Sequence, residues 1–398
     1  MTRTVVVLGA GQAGLPIAHY LLRQTSKHHT DLKVILVTPH DAFYHKIASV
    51  RFVVPGTIPE EKYLFPLMEQ FAEYPASKFE LVIGSAETLL PEANTVKVLL
   101  NGDGKAPSTS TSSPGQLREI PYHTLVIATG SRYTESMPWK ELSSTAATKA
   151  SIAKLQSDIR AAKSIIVAGA GVTGCEFAGE LGSAYGKSKT KTIKLIGNEA
   201  LPLTSPIKDS IRKTVRNELA KMNIEYIPNA RITTPTTSSV LLTKPDGSTQ
   251  TLHADLIVPT FGVTPNTQFA PSSMIDPPSS RLIQDPTLRS PSHSNIFILG
   301  DAGNLQAPQA AHAGAQTKHL MTNLKSYFST GEVKPYAVDN KPMIALTLGR
   351  DRGAGQVGNW GLPSILVWFL KGRTLGTDKI EGFAKGLTDG LGSAWPKS

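Results

Sequence analysis

The chain has 398 residues, more than one hydrophobic core usually serves, so two or three domains are expected. Lysine and arginine together number 41 against 31 aspartates and glutamates, a net charge of +10 that suits anionic ligands such as dinucleotides or acidic lipid surfaces. The scattered basic residues form no nucleic-acid module, which argues against specific nucleic-acid binding. Cys175 is the only cysteine, so an intramolecular disulfide and a dithiol electron relay are both excluded, and a reducing compartment is the natural home. No segment reaches the roughly 20 apolar residues of a bilayer-spanning helix. Met1-Thr2-Arg3-Thr4 shows neither a signal-peptide core nor a glycine for myristoylation, so a cytoplasmic protein, free or peripherally attached to a membrane, is the expectation.

In chain order, Thr4–Leu8 reads as an apolar strand followed by G-A-G-Q-A-G and an alanine-rich helix. Gly9 permits the tight bend, Gly11 lets the backbone approach a pyrophosphate, and Gly14 lets helix and strand pack closely. Free N–H groups at the helix start then hold the anion. A second strand at 33–37 ends in Thr38-Pro39, without the acidic residue that usually binds a ribose; Asp41 comes later. The polar run at 102–118, rich in serine, threonine and proline, reads as an exposed hairpin extension. Residues 122–131 read as a buried strand ending in a tight turn.

Residues 164–182 repeat the opening pattern, with Gly169, Gly171 and Gly174 in G-A-G-V-T-G, and two copies predict two nucleotide sites. Strand 193–196 ends in Gly197-Asn198, again with no carboxylate, so NADH and NADPH both remain open. An amphipathic helix is predicted at 209–222, and 255–262 returns the chain toward the first unit. Strand 296–299 runs into Gly300-Asp301, where a carboxylate can accept hydrogen bonds from the ribityl hydroxyls of a flavin. A helix from about 308, with Pro308 in its first turn, would aim its positive end at the flavin pyrimidine and stabilise the charge that develops there on reduction.

His45, Lys46 and His312 are candidates to touch the flavin or a bound quinone, against structural histidines and a solvated lysine as the plainer reading. From about 336 a smaller unit follows. It ends in W-G-L-P-S-I-L-V-W-F-L, then Lys371 and Arg373, which fits either an interfacial membrane anchor across 360–373 or a core or dimer-interface helix.

With the two glycine turns, A-T-G-S at 128–131, F-G-V-T-P-N at 261–266 and L-G-D-A at 299–302, the chain resembles the pyridine-nucleotide-dependent flavoproteins, the group of glutathione reductase and the type II NADH dehydrogenases. D-A-F-Y-H-K-I-A-S-V-R at 41–51, S-N-I-F-I-L-G-D at 294–301 and L-G-R-D-R-G-A-G-Q-V-G at 348–358 make it look most like the apoptosis-inducing-factor-like and ferroptosis-suppressor-like branch. The resemblance implies an α/β fold with two Rossmann-like, glutathione-reductase-type nucleotide-binding domains plus a small α+β C-terminal domain. FAD would occupy 1–150 with 260–335, NAD(P)H 151–259, and the small domain 336–398.

It further implies that Gly9, Gly11, Gly14, Arg51, Thr129, Gly130 and Asp301 hold non-covalent FAD. Gly169, Gly171, Gly174, Glu176 and Gly262 would serve NADH or NADPH, and Lys379 would join Lys46 and His312 near the reacting rings, with no metal. Electrons would pass from NAD(P)H through FAD to a quinone-like acceptor. A tailoring oxidase or monooxygenase of a small-molecule pathway, or a redox-sensing binding protein of low turnover, is the alternative on the same scaffold. A homodimer and a peripheral place on a lipid droplet or the mitochondrial surface are the corresponding expectations for assembly and location.

Overall fold

Along the strand Arg3–Leu8, Val5 and Val7 enter one core and Val6 and Leu8 another, because successive side chains of a strand point to opposite faces. All four are at most 1% exposed, so each contributes on the order of 1.5–3 kcal/mol of apolar burial. A strand buried on both faces belongs inside a parallel sheet. It pairs in parallel with Leu32–Thr38 on one side and Thr124–Ile127 on the other. The structure, a computed structural model, describes residues 2–101, 115–233, 236, 238–389 and 393–395.

The first sheet has eight strands. His293–Ile298 extends it in parallel beyond Thr124–Ile127, and Phe79–Leu90 extends it beyond Leu32–Thr38. At Gly84 the long strand Phe79–Leu90 leaves the parallel region and pairs antiparallel with Thr95–Leu100, which pairs antiparallel with Leu117–Pro121. The tip of the hairpin extension expected at 102–118 falls on 102–114, outside the described residues. The helices Gly14–Arg23 and Ala310–Thr330 cover one face of the sheet.

The second parallel sheet takes Ile224–Ile227, Thr192–Ile196, Ser164–Ala168 and Leu256–Pro259 in that order. The same alternation recurs: Ile165 and Val167 face one core, Ile166 and Ala168 the other. A three-stranded antiparallel sheet, Arg231–Thr233, Ser239–Thr243 and Thr249–His253, flanks it. The last sheet, Met343–Leu348, Arg352–Val357 and Trp360–Leu362, is antiparallel and packs on the helix Val172–Leu181. The approach is backbone to backbone, since a side chain at Gly179 would run into Leu348 and Gly349. The α/β architecture with two Rossmann-type units therefore holds.

Two local expectations change. The helix expected to include Pro308 starts at Ala310, because Gln309 is still extended (φ −143°, ψ 143°); Gly331, at φ 79°, ends it. The apolar stretch 360–370 is not one helix but a strand, the short helix Ser364–Val367 and a wide turn over Trp368–Gly372. Val367 alone is fully buried, whereas Trp360, Ile365, Phe369 and Leu370 are 60–80% exposed, so a core helix is the wrong picture.

His19 illustrates how the C-terminal segment is held. Its ring stacks on Phe71 at 4.0 Å, and its nitrogens meet the Tyr74 hydroxyl and the Ala384 carbonyl, both at 3.0 Å. Burial pushes the imidazole down to about 3, against the smaller opposing pull of the Ala384 carbonyl. Since the unfolded ring titrates near 6.5, the unfolded chain takes up the proton first as pH falls. Stability from this group is complete above that value and declines between about 6.5 and 3, by about 1.4 kcal/mol per pH unit. Urea unfolding at pH 7 and pH 5 should show a loss of about 2 kcal/mol that His19→Gln does not share; equal pH slopes in the two proteins would refute this account.

Candidate active site

Both glycine turns open on one cleft of about 1500 Å³, larger than the roughly 300–1,000 Å³ of an ordinary small-ligand pocket. Gly9 and Gly169 adopt φ of +101° and +110°, which side-chain-bearing residues rarely reach. A Cβ at Gly14 would strike the Gly9 carbonyl, and one at Gly174 would strike that of Gly169. The middle glycines differ, because they face space. Gly171 has no neighbour within 4 Å of a Cβ position, and at Gly11 the nearest atom is Lys46 Nζ at 3.6 Å. This is the cradle a pyrophosphate needs, and the first copy has a cation above it.

Four charged groups line the cleft next to the first turn. Lys46 pairs with Glu141 at 3.2 Å, and Lys140 pairs with Asp301 at 2.7 Å. The Ser131 hydroxyl donates to Asp301 at 2.7 Å. Burial opposes charge on Asp301, but Lys140, Ser131 and Lys46 together outweigh it and hold the carboxyl below its usual range. Glu141 is held low in the same way: burial works against the charge, and Lys46 and His40 overcome it. For Lys140 burial wins over Asp301, so its ammonium loses its proton more readily than a solvated lysine. Asp301 is thus a charged acceptor, as a partner for ribityl hydroxyls must be.

The helix Ala310–Thr330 points its start at this cluster. Pro308, Gln309, Ala310 and Ala311 line the cleft, and no side chain caps the first turn, so its amides and the positive end of the dipole are free for a ligand. Gln316 accepts from the Gly300 amide at 2.9 Å and fixes the Gly300-Asp301 turn to the helix. Thr129 and Asn266 bind each other's backbone carbonyls, at 2.7 and 3.0 Å, so the turn at Gly130 is tied to the 263–266 segment. These groups fit FAD in the first unit: an anion cradle, a cation over it, a charged acceptor and an uncapped helix start.

On the nicotinamide side Glu176 is 4% exposed. Its carboxylate accepts from the Thr347 amide at 2.9 Å and from Lys371 at 2.7 Å. Lys371 also donates to the Ala345 carbonyl at 3.0 Å and lines the cleft.

Gly9, Gly11, Lys46, Thr129, Gly130, Gly171, Glu176 and Asp301 all line the cleft. Gly14, Gly169 and Gly174 stand behind the two turns and shape them, and Gly262 (φ +81°) lies beside the lining residue Val263. Three expected residues lie elsewhere. Arg51 is buried and binds Glu180 through Nε at 2.9 Å and Nη2 at 2.7 Å, so its guanidinium is committed to an ion pair outside the cleft. His312 bonds the Ala307 carbonyl at 2.8 Å and does not line the cleft.

Lys379 immediately precedes the short helix Ile380–Ala384 and does not line the cleft, while Lys371 is the lysine that reaches it. His45, 2% exposed and bonded to the Leu375 carbonyl, takes the structural role. Lys140 and Glu141 join the site without any signal in the sequence, and Lys371 stands in the sequence only as a basic residue after an apolar stretch. No motif marks them, because each acquires its partner only through folding.

The profile of the pyridine nucleotide-disulphide oxidoreductase family matches residues 3–317. Oxidoreductase ptaL of Pestalotiopsis fici is 35% identical over 372 residues, covering 91% of this chain and 94% of that protein. Ferroptosis suppressor protein 1 of Xenopus laevis is 23% identical over 384 residues, covering 94% of each. The solved sulfide:quinone oxidoreductase of Aquifex aeolicus shares the fold, with a TM-score of 0.76 over 97% of this chain and 92% of that one at 16% identity. The chain therefore belongs to the pyridine nucleotide-disulphide oxidoreductase family and binds FAD and NAD(P)H, although its single buried cysteine leaves it without a disulphide of its own.

Proposed function

We propose that the protein is an NAD(P)H:acceptor oxidoreductase whose acceptor is a quinone. The observation that carries this reading is the junction of the cleft with the C-terminal sheet. There Pro342, Met343, Ile344 and Ala345 give the cleft an apolar edge, and the Glu176–Lys371 pair stands beside them. Bound FAD supplies the two-electron carriage between nucleotide and acceptor. Overall, NAD(P)H, a quinone and one proton give NAD(P)⁺ and the quinol. The protein's part is to align the two ring systems, exclude water and hold a proton where the acceptor gains charge. Lys371, held by Glu176 and the Ala345 carbonyl, is positioned as that proton donor.

The likeness in fold to a protein named as a quinone oxidoreductase supports the same acceptor class. No carboxylate guards the adenine ribose of the second unit, since Glu199 is drawn to Arg212 at 2.5 Å; both nucleotides are accordingly expected to serve. A lipid-soluble acceptor needs access from a membrane, and the exposed ridge of Trp360, Ile365, Phe369 and Leu370 suits an interfacial, peripheral attachment of a cytoplasmic protein. Among the described residues no helix is long and apolar enough to cross a membrane. A second copy of the chain covering the ridge is the other arrangement, and it would appear as a dimer in solution.

Mixed without oxygen, NADH or NADPH should bleach the flavin spectrum, and a short-chain quinone should restore it. A flavin that neither nucleotide bleaches would overturn the reading, and recovery with oxygen but with no quinone would make the enzyme an oxidase. Lys371→Met should leave bleaching within a few-fold of wild type while slowing recovery by quinone at least about tenfold, in keeping with usual proton-transfer contributions. Slowing confined to the bleaching step would place Lys371 with the nucleotide instead. Replacing Phe369 and Leu370 by serine should cut sedimentation with vesicles severalfold; unchanged sedimentation would remove the ridge as the attachment.

A further inference from the structure

A second cavity of about 430 Å³ lies apart from the dinucleotide cleft, where three stretches distant in sequence meet. Arg51, Thr57 and Lys62 come from the first unit, Arg350 from the turn between Met343–Leu348 and Arg352–Val357, and Arg373 and Asp378 from the segment after Trp368–Gly372. Two of the four cations are already matched. Arg51 holds Glu180 at 2.7 Å, and Arg373 approaches Asp378 at 3.6 Å. Glu381 pairs directly with Lys385 at 2.8 Å and Glu60 with Lys149 at 2.6 Å.

Lys62 and Arg350 remain: neither is within salt-bridge distance of an acid among the described residues, and their charges act only at longer range, that of Arg350 on Glu180 and that of Lys62 on Glu381. Four cations line the cavity against one lining carboxylate, Asp378, so the site is net positive and a bound anion would offset that charge. Guanidinium and ammonium groups together are the usual donors to phosphate oxygens.

The cavity also adjoins the exposed ridge. The Arg373 guanidinium lies over the Phe369 ring at 5.6 Å, and Trp368 Nε1 donates to the Arg350 carbonyl at 2.8 Å, so the turn that presents Phe369 and Leu370 also fixes two of the cavity's arginines. We propose that this cavity is a site for a phosphate ester of glycerophosphate type, with Lys62 and Arg350 as its principal ligands. The group would come either from the headgroup of an acidic lipid, whose chains would then lie along the ridge, or from a soluble phosphoester. The site is independent of the electron acceptor, because none of Lys62, Arg350 and Arg373 lines the dinucleotide cleft.

The test uses the FAD-loaded full chain and two probes: glycerol 1-phosphate by calorimetry, and flotation with vesicles of phosphatidylcholine alone or with phosphatidic acid. A double variant, Lys62→Ala with Arg350→Ala, removes side chains that make no salt bridge, so its flavin spectrum should match wild type and its thermal melt should stay within a few degrees of it. A control, Lys154→Ala with Lys325→Ala, removes the same charge elsewhere. Phosphatidic acid should strengthen vesicle binding of wild type and control at least tenfold, and the double variant should lose that gain while keeping its binding to neutral vesicles. Glycerol 1-phosphate binding that the double variant loses, with no gain from phosphatidic acid, would assign the site to a soluble phosphoester. Neither probe bound by wild type, or equal losses in the double variant and the control, would overturn the proposal. Serine at Ile365 and Leu370, which keeps the Phe369 ring beneath Arg373, should leave glycerol 1-phosphate binding intact, and this separates the site from the ridge.

Discussion

A buried ion pair between Arg51 and Glu180 is the tie on which the arrangement of the three units depends. Arg51 is 6% and Glu180 2% exposed, and the arginine also reaches the carbonyls of Arg373 and Gly349. Burial raises the Glu180 carboxyl even against Arg51, which measures how strongly the site disfavours an unmatched charge. Losing one partner of such a pair typically costs about 3–5 kcal/mol, because the other stays buried and charged. Glu180 lies in the last turn of the helix Val172–Leu181, which packs on Ser49–Phe52 of the first unit, on the second parallel sheet and on Met343–Leu348. Gly174 closes it onto its own glycine turn, Glu176 binds Thr347 and Lys371 of the C-terminal unit, Gly179 lets that unit's backbone approach, and Glu180 grips the first unit through Arg51.

That shared helix explains why the chemistry is concentrated in one cleft. The first unit supplies an anion cradle, a charged acceptor at Asp301 and an uncapped helix start. The second supplies the matching cradle and Glu176, and the C-terminal unit supplies an apolar edge and Lys371. Donors and charges fixed by folding do not have to reorganise as charge moves, and this is the contribution a protein makes to flavin chemistry. With Cys175 fully buried and its thiol pushed up by burial, no thiol stands between the flavin and the acceptor.

The same turn, Trp368–Gly372, faces two ways. Lys371 reaches inward to Glu176, while Phe369 and Leu370 face outward and Arg373 borders the basic cavity. On the proposed reading, a lipid-facing surface and the side chain that serves the acceptor would be one residue apart.

The elements legible in the sequence are those whose physics is local. Unbroken apolar runs mark the strands Arg3–Leu8 and Ser164–Ala168, buried on both faces, and a positive φ at Gly9 and Gly169 demands glycine whatever the rest of the chain does. The lone cysteine and the absence of a carboxylate after either second strand are equally plain from the residues alone. Tertiary structure decided which long polar side chains meet. Glu176 finds Lys371 across 195 residues, Asp301 finds Lys140 across 161, and Arg51 finds Glu180 across 129. Lys371 rather than Lys379 lines the cleft, and Arg51 serves the frame rather than the cleft, because burying a charge requires a partner and only the packed chain determines which one is within reach.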